Sequence, residues 1–140
     1  MESYDLNRFI KAQEGYYEQA LYEIRNGRKE SHWMWFVFPQ HKALCRTATS
    51  KYYGINGIDE ARAYIEHPIL GKRLREITAV LLSLTENNPY KIMGDPDYLK
   101  LLSCMTLFAH ATDDNCVFID VINKLYQGLM DNKTLRLIKE

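Results

Sequence analysis

Apolar side chains recur at intervals of three and four residues along most of this chain. Such spacing places them on one face of a helix, which is the pattern of amphipathic helices that cover a core. No segment shows the strict alternation of a half-buried strand. The sequence therefore predicts an all-α fold without a sheet, with helices over residues 5–25, 59–66, 68–85, 95–112, 117–128 and 131–138.

Signals at the ends of these segments support their limits. Asp5, Asp95 and Asp131 precede apolar periodic segments, and we expect their carboxylates to accept backbone N–H groups at the helix N-termini. Gly27 follows the first segment and is expected to adopt the left-handed backbone that ends many helices. Residues 41–57 are mixed in polarity and rich in turn-forming residues, so we expect them to be mostly loop.

One stretch does not follow the helical period. This aromatic block, residues 31–40 (SHWMWFVFPQ), contains both tryptophans and two of the five phenylalanines. Burying so much aromatic surface requires other helices to cover it. Because helices are expected on both sides, we predict one or two tight helical turns here. The whole chain, residues 1–140, is then a single compact domain of about six to seven helices around one core.

Charge and cysteine content narrow the function classes. The 18 basic and 18 acidic residues cancel, so no overall field attracts a polyanion, and the sequence argues against a nucleic-acid partner. The three cysteines have no ligand-like spacing, which favours free thiols in a reducing, cytoplasmic compartment. We expect no signal peptide, and no apolar run approaches the roughly 20 residues of a membrane span, so no membrane partner is predicted.

The common catalytic motifs are absent from the sequence. There is no glycine-rich phosphate loop, paired CxxC, HExxH or GxSxG. The four histidines are scattered and none has a neighbouring ligand at metal-binding spacing, so we predict no metal site and no cofactor. Any site must be assembled from distant parts of the chain.

Polar residues around the aromatic block are the first candidates. His32 precedes the block and could act as a general base if a carboxylate, Glu14 or Asp97, lies beside it. Alternatively, it bonds to the backbone and only ends the block. Gln13 lies on the apolar face of the first helix, so its amide either binds backbone or points into a site.

Lys100 and Ser103 form a second candidate group. Their three-residue spacing places them on roughly one helix face, where a cation and a hydroxyl could bind an anionic group. In the alternative interpretation, Lys100 extends past its leucine neighbours to water. Covalent catalysis by Ser103 is disfavoured because no oxyanion hole is apparent. Cys104 is expected to be a structural thiol.

The chain resembles a family of small, mostly bacterial all-helical proteins of unknown function that are often labelled calpastatin. The resemblance runs nearly end to end, and its most specific element is the HWMWFxFPQ signature at residues 32–40. It implies a helical domain without an agreed activity, whereas a calpain inhibitor would be a disordered, repeat-bearing chain. The sequence departs from the family where a glycine-rich turn usually follows the signature and Ala43-Leu44-Cys45 stands instead.

More distantly, the arrangement is similar to N-glycosidases of the NADAR type, which act on ADP-ribose or riboflavin-pathway intermediates. Their catalytic glutamate has no counterpart in this chain. The similarity suggests a class of ligand, a small anionic nucleotide-like metabolite such as an ADP-ribose derivative, and no residue roles.

We therefore predict a pocket where the aromatic block meets the first helix and the helix after Asp95. Its occupant would be such a metabolite. Binding is the main prediction, and hydrolysis of the bound metabolite is an addition to it. The catalytic candidates are His32 and Glu14, and the ligand-binding candidates are Gln13, Lys29, Trp33, Gln40, Lys100 and Ser103. The alternative is a non-enzymatic protein-interaction module with a purely structural block. Geometry distinguishes them, because catalysis requires His32, Lys100 and Ser103 to share one environment.

Overall fold

The computed structural model describes residues 4–139, and the all-α prediction is confirmed there. No strand occurs within these residues, and an isolated backbone bridge joins His41 to Ile55. A short 3-10 helix spans Lys42–Leu44. The α-helices are α1 (Asn7–Arg25), α2 (Met34–Val37), α3 (Ala48–Tyr52), α4 (Ile58–Glu66), α5 (Leu70–Ser83), α6 (Pro89–Met93), α7 (Asp97–Ala111), α8 (Cys116–Tyr126) and α9 (Asn132–Ile138).

The described part of the chain thus contains nine α-helices instead of six to seven. The additional two, α3 and α6, have five residues each, too few to show a helical period. Local capping forms them: Thr47 and Ser50 bond reciprocally in a capping box, and the Asn88 side chain accepts the Tyr90 N–H at 3.0 Å. The prediction that residues 41–57 are mostly loop is therefore wrong over α3.

The predicted caps are correct in one of three cases. Asp131 accepts the Thr134 N–H at 3.3 Å and starts α9. Leu6 and Pro96 occupy the cap positions of α1 and α7, so the predictions for Asp5 and Asp95 are wrong.

Helix α7 is the centre of the core. It packs against α4, α6, α8 and α9, while α1 packs against α2 and α5. From Leu101 to Ala109 every α7 side chain is buried except the half-buried Leu102, as expected of a helix that is covered all round. Leu99, near the start of α7, is 51% exposed because it precedes the covered part of the helix.

The aromatic block enters this core through α2, which is one helical turn where one or two were predicted. Trp33 and Phe38 are fully buried, with 0% and 1% of their surface exposed. Trp35 is only half-buried, so one indole lies at the protein surface. No helix within residues 4–139 has the length and apolar character needed to cross a bilayer.

Candidate functional site

The aromatic block is held by one carboxylate that the sequence patterns did not indicate. Glu23, on α1, is 1% exposed and accepts hydrogen bonds from the Trp33 indole at 2.9 Å, the Ser31 hydroxyl at 2.5 Å and the Gln19 amide at 2.8 Å. The backbone N–H groups of Glu30 and Ser31 bond to it at 2.8 and 2.9 Å. Burial alone would raise the pKa of Glu23, but these donors outweigh it and lower the pKa to about 2.

Trp33 and Gln13 are buried, and their polar groups bond to other groups inside the protein. The indole N–H of Trp33 is used by Glu23. Gln13 is 2% exposed, and its amide donates to the Phe36 carbonyl at 2.7 Å and the Tyr64 hydroxyl at 3.0 Å. Of the two alternatives for Gln13, the structure shows the one in which the amide binds backbone.

His32 and Glu14 lie at the surface. Both side chains are exposed, and no hydrogen bond or ion pair within residues 4–139 joins them. Asp97, the other partner considered for His32, is paired with Lys29 at 2.8 Å. The structure therefore does not bring His32 together with either carboxylate.

Lys29 links the start of the block to α7. Besides its ion pair with Asp97, its ammonium donates to the Ser31 carbonyl at 2.6 Å and lies 5.0 Å from the Trp33 ring centroid. The Lys29 side chain is 9% exposed. Its charge is compensated within the protein, so it has little capacity left for an external anion.

Ser103 is also bound within the fold. Its hydroxyl donates to the Asp131 carboxylate at 2.8 Å, and the same oxygen accepts the Thr134 hydroxyl at 2.5 Å. This contact joins α7 to α9. His32, Lys100 and Ser103 consequently occupy three different environments, and the geometry expected of a catalytic site is not met by this trio.

Gln40 and Lys100 are the predicted residues that the structure brings together. They line one pocket, the Lys100 pocket, between the aromatic block and α7. The rest of its lining is Met34, Trp35, Phe38, Cys45, Ser50 and Tyr53. The space open to a water-sized molecule is about 10 Å³, roughly one water. Cys45, Ser50 and Tyr53 were missed because they come from the segment expected to be loop, where no periodic signal exists.

The polar groups of the pocket differ in how they are satisfied. The Gln40 amide donates weakly to the Cys45 sulfur at 3.9 Å. No hydrogen bond or ion pair holds the half-buried Lys100 ammonium within residues 4–139. Burial raises the pKa of the Cys45 thiol, although bonds from Gln40 and Ser50 and the charge of Lys100 act against it. Cys45 is therefore a neutral thiol near neutral pH and not an activated nucleophile.

Metal binding has no support among the described side chains, where no three His, Cys, Asp or Glu residues are grouped to hold an ion. The three cysteines are free, with Cys45 and Cys104 buried and Cys116 exposed. Burial raises the pKa of Cys104 well above that of an ordinary thiol. Cys104 thus has the surroundings of a structural residue.

Comparison with known proteins is consistent with this fold. A family profile described as "Protein of unknown function (DUF1810)" matches residues 3–138. The crystal structure of the conserved hypothetical protein Rv1873 from Mycobacterium tuberculosis, at 1.38 Å, has 43% sequence identity to this chain. The alignment covers 99% of each chain with a TM-score of 0.97. No curated protein matches the sequence. The chain belongs to the DUF1810 family of proteins of unknown function.

Proposed function

We propose that this protein binds a small anionic ligand at the Lys100 pocket. The observation that carries the proposal is the Lys100 ammonium itself, half-buried beside an aromatic-walled pocket and without an ionic partner among residues 4–139. The other predicted lysine, Lys29, is neutralised by Asp97 at 2.8 Å. Lys100 is therefore the predicted cation that an external anion would complement.

The chemistry of the walls indicates what such a ligand would look like. A charge-assisted bond from Lys100 suits a phosphate or carboxylate oxygen, and the Gln40 amide supplies a second donor. Trp35 and Tyr53 are half-buried at the pocket and offer ring faces for a planar group. An anionic end joined to a planar ring describes a nucleotide-like metabolite, of which ADP-ribose is an example.

The proposal is for binding and does not include turnover. His32 and Glu14 are not among the side chains that line the pocket. Cys45, which does line it, is held as a thiol by burial. None of these three groups is therefore placed or activated as a base or nucleophile toward a ligand at Lys100.

Thermal shift measurements with ADP-ribose, AMP and ADP test the proposal. A ligand present at 100 times its dissociation constant stabilises the protein by about 2.7 kcal/mol, which raises the melting temperature measurably. Lys100→Met should abolish the shift while folding normally. Lys133→Met, which removes a lysine of α9 that is exposed, is the matched control and should retain it. Absence of a shift with all three compounds, or equal shifts in both variants, would contradict the proposal.

A groove lined by both apolar and polar side chains supports the alternative of a protein-interaction module. It lies beside the start of α7, has a volume of about 570 Å³, and is lined in part by Pro89, Tyr98, Leu99 and Leu125. Leu99 is 51% exposed, which is consistent with an unfilled contact surface. For an interaction module, Leu99→Asp should abolish capture of a partner from native lysate while Lys100→Met preserves it. Capture that Leu99→Asp retains, or the absence of any captured partner, would contradict the interaction module.

A further inference from the structure

The Lys100 pocket is closed on one side by a short excursion of the chain. Residues 43–51, which we call the lid segment, contribute Cys45 and Ser50 to its lining. These two are also the side chains of the lid segment that are buried. The buried contacts of the lid segment are therefore largely those that close the pocket.

The lid segment forms its hydrogen bonds internally and with its own base. Thr47 and Ser50 bond reciprocally at 3.0 and 3.1 Å, the Ala43 N–H donates to the His41 ring at 3.0 Å, and the Cys45 thiol donates to the His41 carbonyl at 3.6 Å. None of the hydrogen bonds described for residues 43–51 reaches a helix outside residues 40–54. Moving the segment as a unit would preserve the bonds within it.

The base of the segment is fixed by backbone pairing. The Lys42 N–H donates to the Ile55 carbonyl at 2.7 Å, and the Ile55 N–H donates to the Gln40 carbonyl at 2.9 Å. Gly54 lies against Lys42 so closely that an added Cβ would meet the Lys42 Cα at 2.7 Å. The two ends of the excursion are thus held in contact.

Arg8 of α1 strengthens the same base. Its guanidinium donates to the Tyr52 carbonyl at 2.7 Å and the Gly54 carbonyl at 3.0 Å. It is also paired with Glu60 of α4 at 3.0 Å. These contacts anchor the C-terminal end of the excursion to the helical core, and the backbone pairing of Lys42 with Ile55 ties the N-terminal end to it. The hydrogen bonds described for residues 43–51 provide no such anchor.

We propose that the lid segment opens about this fixed base to admit a ligand and closes over it at Lys100. The identity of the occupant rests on the proposed function, but the opening itself needs no ligand. Closed, the pocket has room for about one water, which is too little for a phosphate group, so some wall must move. Most side chains of the lid segment are exposed, with Cys45 and Ser50 buried, and weakly buried segments open at lower free energy than the core.

The three cysteines of the native protein allow a direct test. Iodoacetamide modification of each cysteine, followed by peptide mass spectrometry across low urea concentrations, compares three environments in one molecule. Cys116 is exposed and should react first, whereas Cys104 is fully buried at the centre of α7 and should react only on global unfolding. Cys45, in the lid segment, should react more slowly than Cys116 but roughly tenfold or more faster than Cys104, with little dependence on urea.

Two results would contradict the proposed local opening of the lid segment. Cys45 and Cys104 reacting at the same rate with the same urea dependence would show that the pocket opens only when the protein unfolds. Cys45 reacting as fast as Cys116 would show that the pocket is never closed.

A pair of glycine variants tests the hinge. Gly54→Ala should force Lys42 and Gly54 apart and raise the ratio of Cys45 to Cys116 modification rates severalfold. Cys116 is the reference because it is exposed and reacts without global unfolding. Gly15→Ala is the matched control, because a Cβ at this position of α1 meets no atom within 4 Å and should leave this ratio unchanged. An unchanged ratio in Gly54→Ala would contradict a hinge at this base.

The ligand measurement is separate from the lid measurement. If Cys45 reacts through local opening of the lid segment but no nucleotide shifts the melting temperature, the proposed function is contradicted and the proposed opening is supported. If a nucleotide binds through Lys100 while Cys45 reacts only on global unfolding, the proposed opening is contradicted and the proposed function is supported.

Discussion

At the scale of single residues, Glu23 is the side chain on which the aromatic block depends. Its two oxygens accept bonds from Trp33, from the backbone and side chain of Ser31, and from two further donors. A buried carboxylate costs free energy unless it is hydrogen-bonded, and here the turn between α1 and α2 supplies the donors. The indole of Trp33 is thereby fixed in position among the surrounding apolar side chains.

Glu23→Gln should destabilise the protein by about 1–3 kcal/mol, because an amide turns one N–H₂ group toward donors that need an acceptor. Urea unfolding followed by tryptophan fluorescence measures the change. Glu30→Gln is the control, since the Glu30 side chain is exposed and should alter the midpoint little. Equal stability of the two variants would show that Glu23 does not hold the block.

At the scale of elements, helix termini are satisfied by side chains from other helices. The C-terminal end of α5 has no cap of its own, and the Lys124 ammonium of α8 donates to the carbonyls of Leu81, at 2.9 Å, and Leu84. A cation at this position also compensates the negative end of the helix dipole. The start of α9 is joined to α7 through Asp131 and Ser103.

Lys124→Met should cost about 1.5–3 kcal/mol, the range for hydrogen bonds to a charged donor, because the α5 carbonyls lose their partner. Differential scanning calorimetry compares it with Lys133→Met, an exposed lysine on α9. A melting temperature equal to that of the control would indicate that water replaces the ammonium without cost.

Ser103→Ala distinguishes a structural from a ligand-binding hydroxyl. We expect a loss of about 1 kcal/mol in unfolding free energy, because Asp131 keeps its bonds to Thr134 and loses one partner. Nucleotide-induced thermal shifts should be unchanged. A lost shift with intact stability would assign Ser103 to the ligand after all.

At the scale of the whole molecule, the response to acid depends on the carboxylates whose pKa differs between the folded and the unfolded chain. Glu23 has a folded-state pKa of about 2, below the ordinary value of 4.5. Its contribution to stability is therefore complete above pH 4.5 and is lost as the pH falls toward 2.

Unfolding free energy should accordingly decrease between pH 4.5 and 2, and the decrease should be smaller in Glu23→Gln, which cannot titrate there. Urea midpoints measured in steps across this interval give both profiles. Parallel profiles for the wild type and the variant would mean that other carboxylates determine the acid response.

The sequence by itself determined the helical class and the long helices. Those features follow from local spacing of apolar residues, which each segment carries on its own. The spacing of apolar residues did not predict α3 and α6, because each has only five residues and is formed by local capping. The sequence also assigned Gln40 and Lys100 to one predicted pocket, which they line in the structure. The other ligand-binding candidates, Gln13, Lys29, Trp33 and Ser103, are bound within the fold.

Only the tertiary structure decided which polar groups meet. Glu23 contacts Trp33 and Ser103 contacts Asp131 because α1, α7 and α9 pack as they do, and no local pattern encodes those pairings. The same packing compensates Lys29 with Asp97 and leaves Lys100 beside a pocket without an ionic partner within residues 4–139. The free energy of apolar burial depends on the area removed from water and little on which helix covers it. A hydrogen bond requires two particular atoms at about 3 Å, and only the assembled fold brings those atoms together.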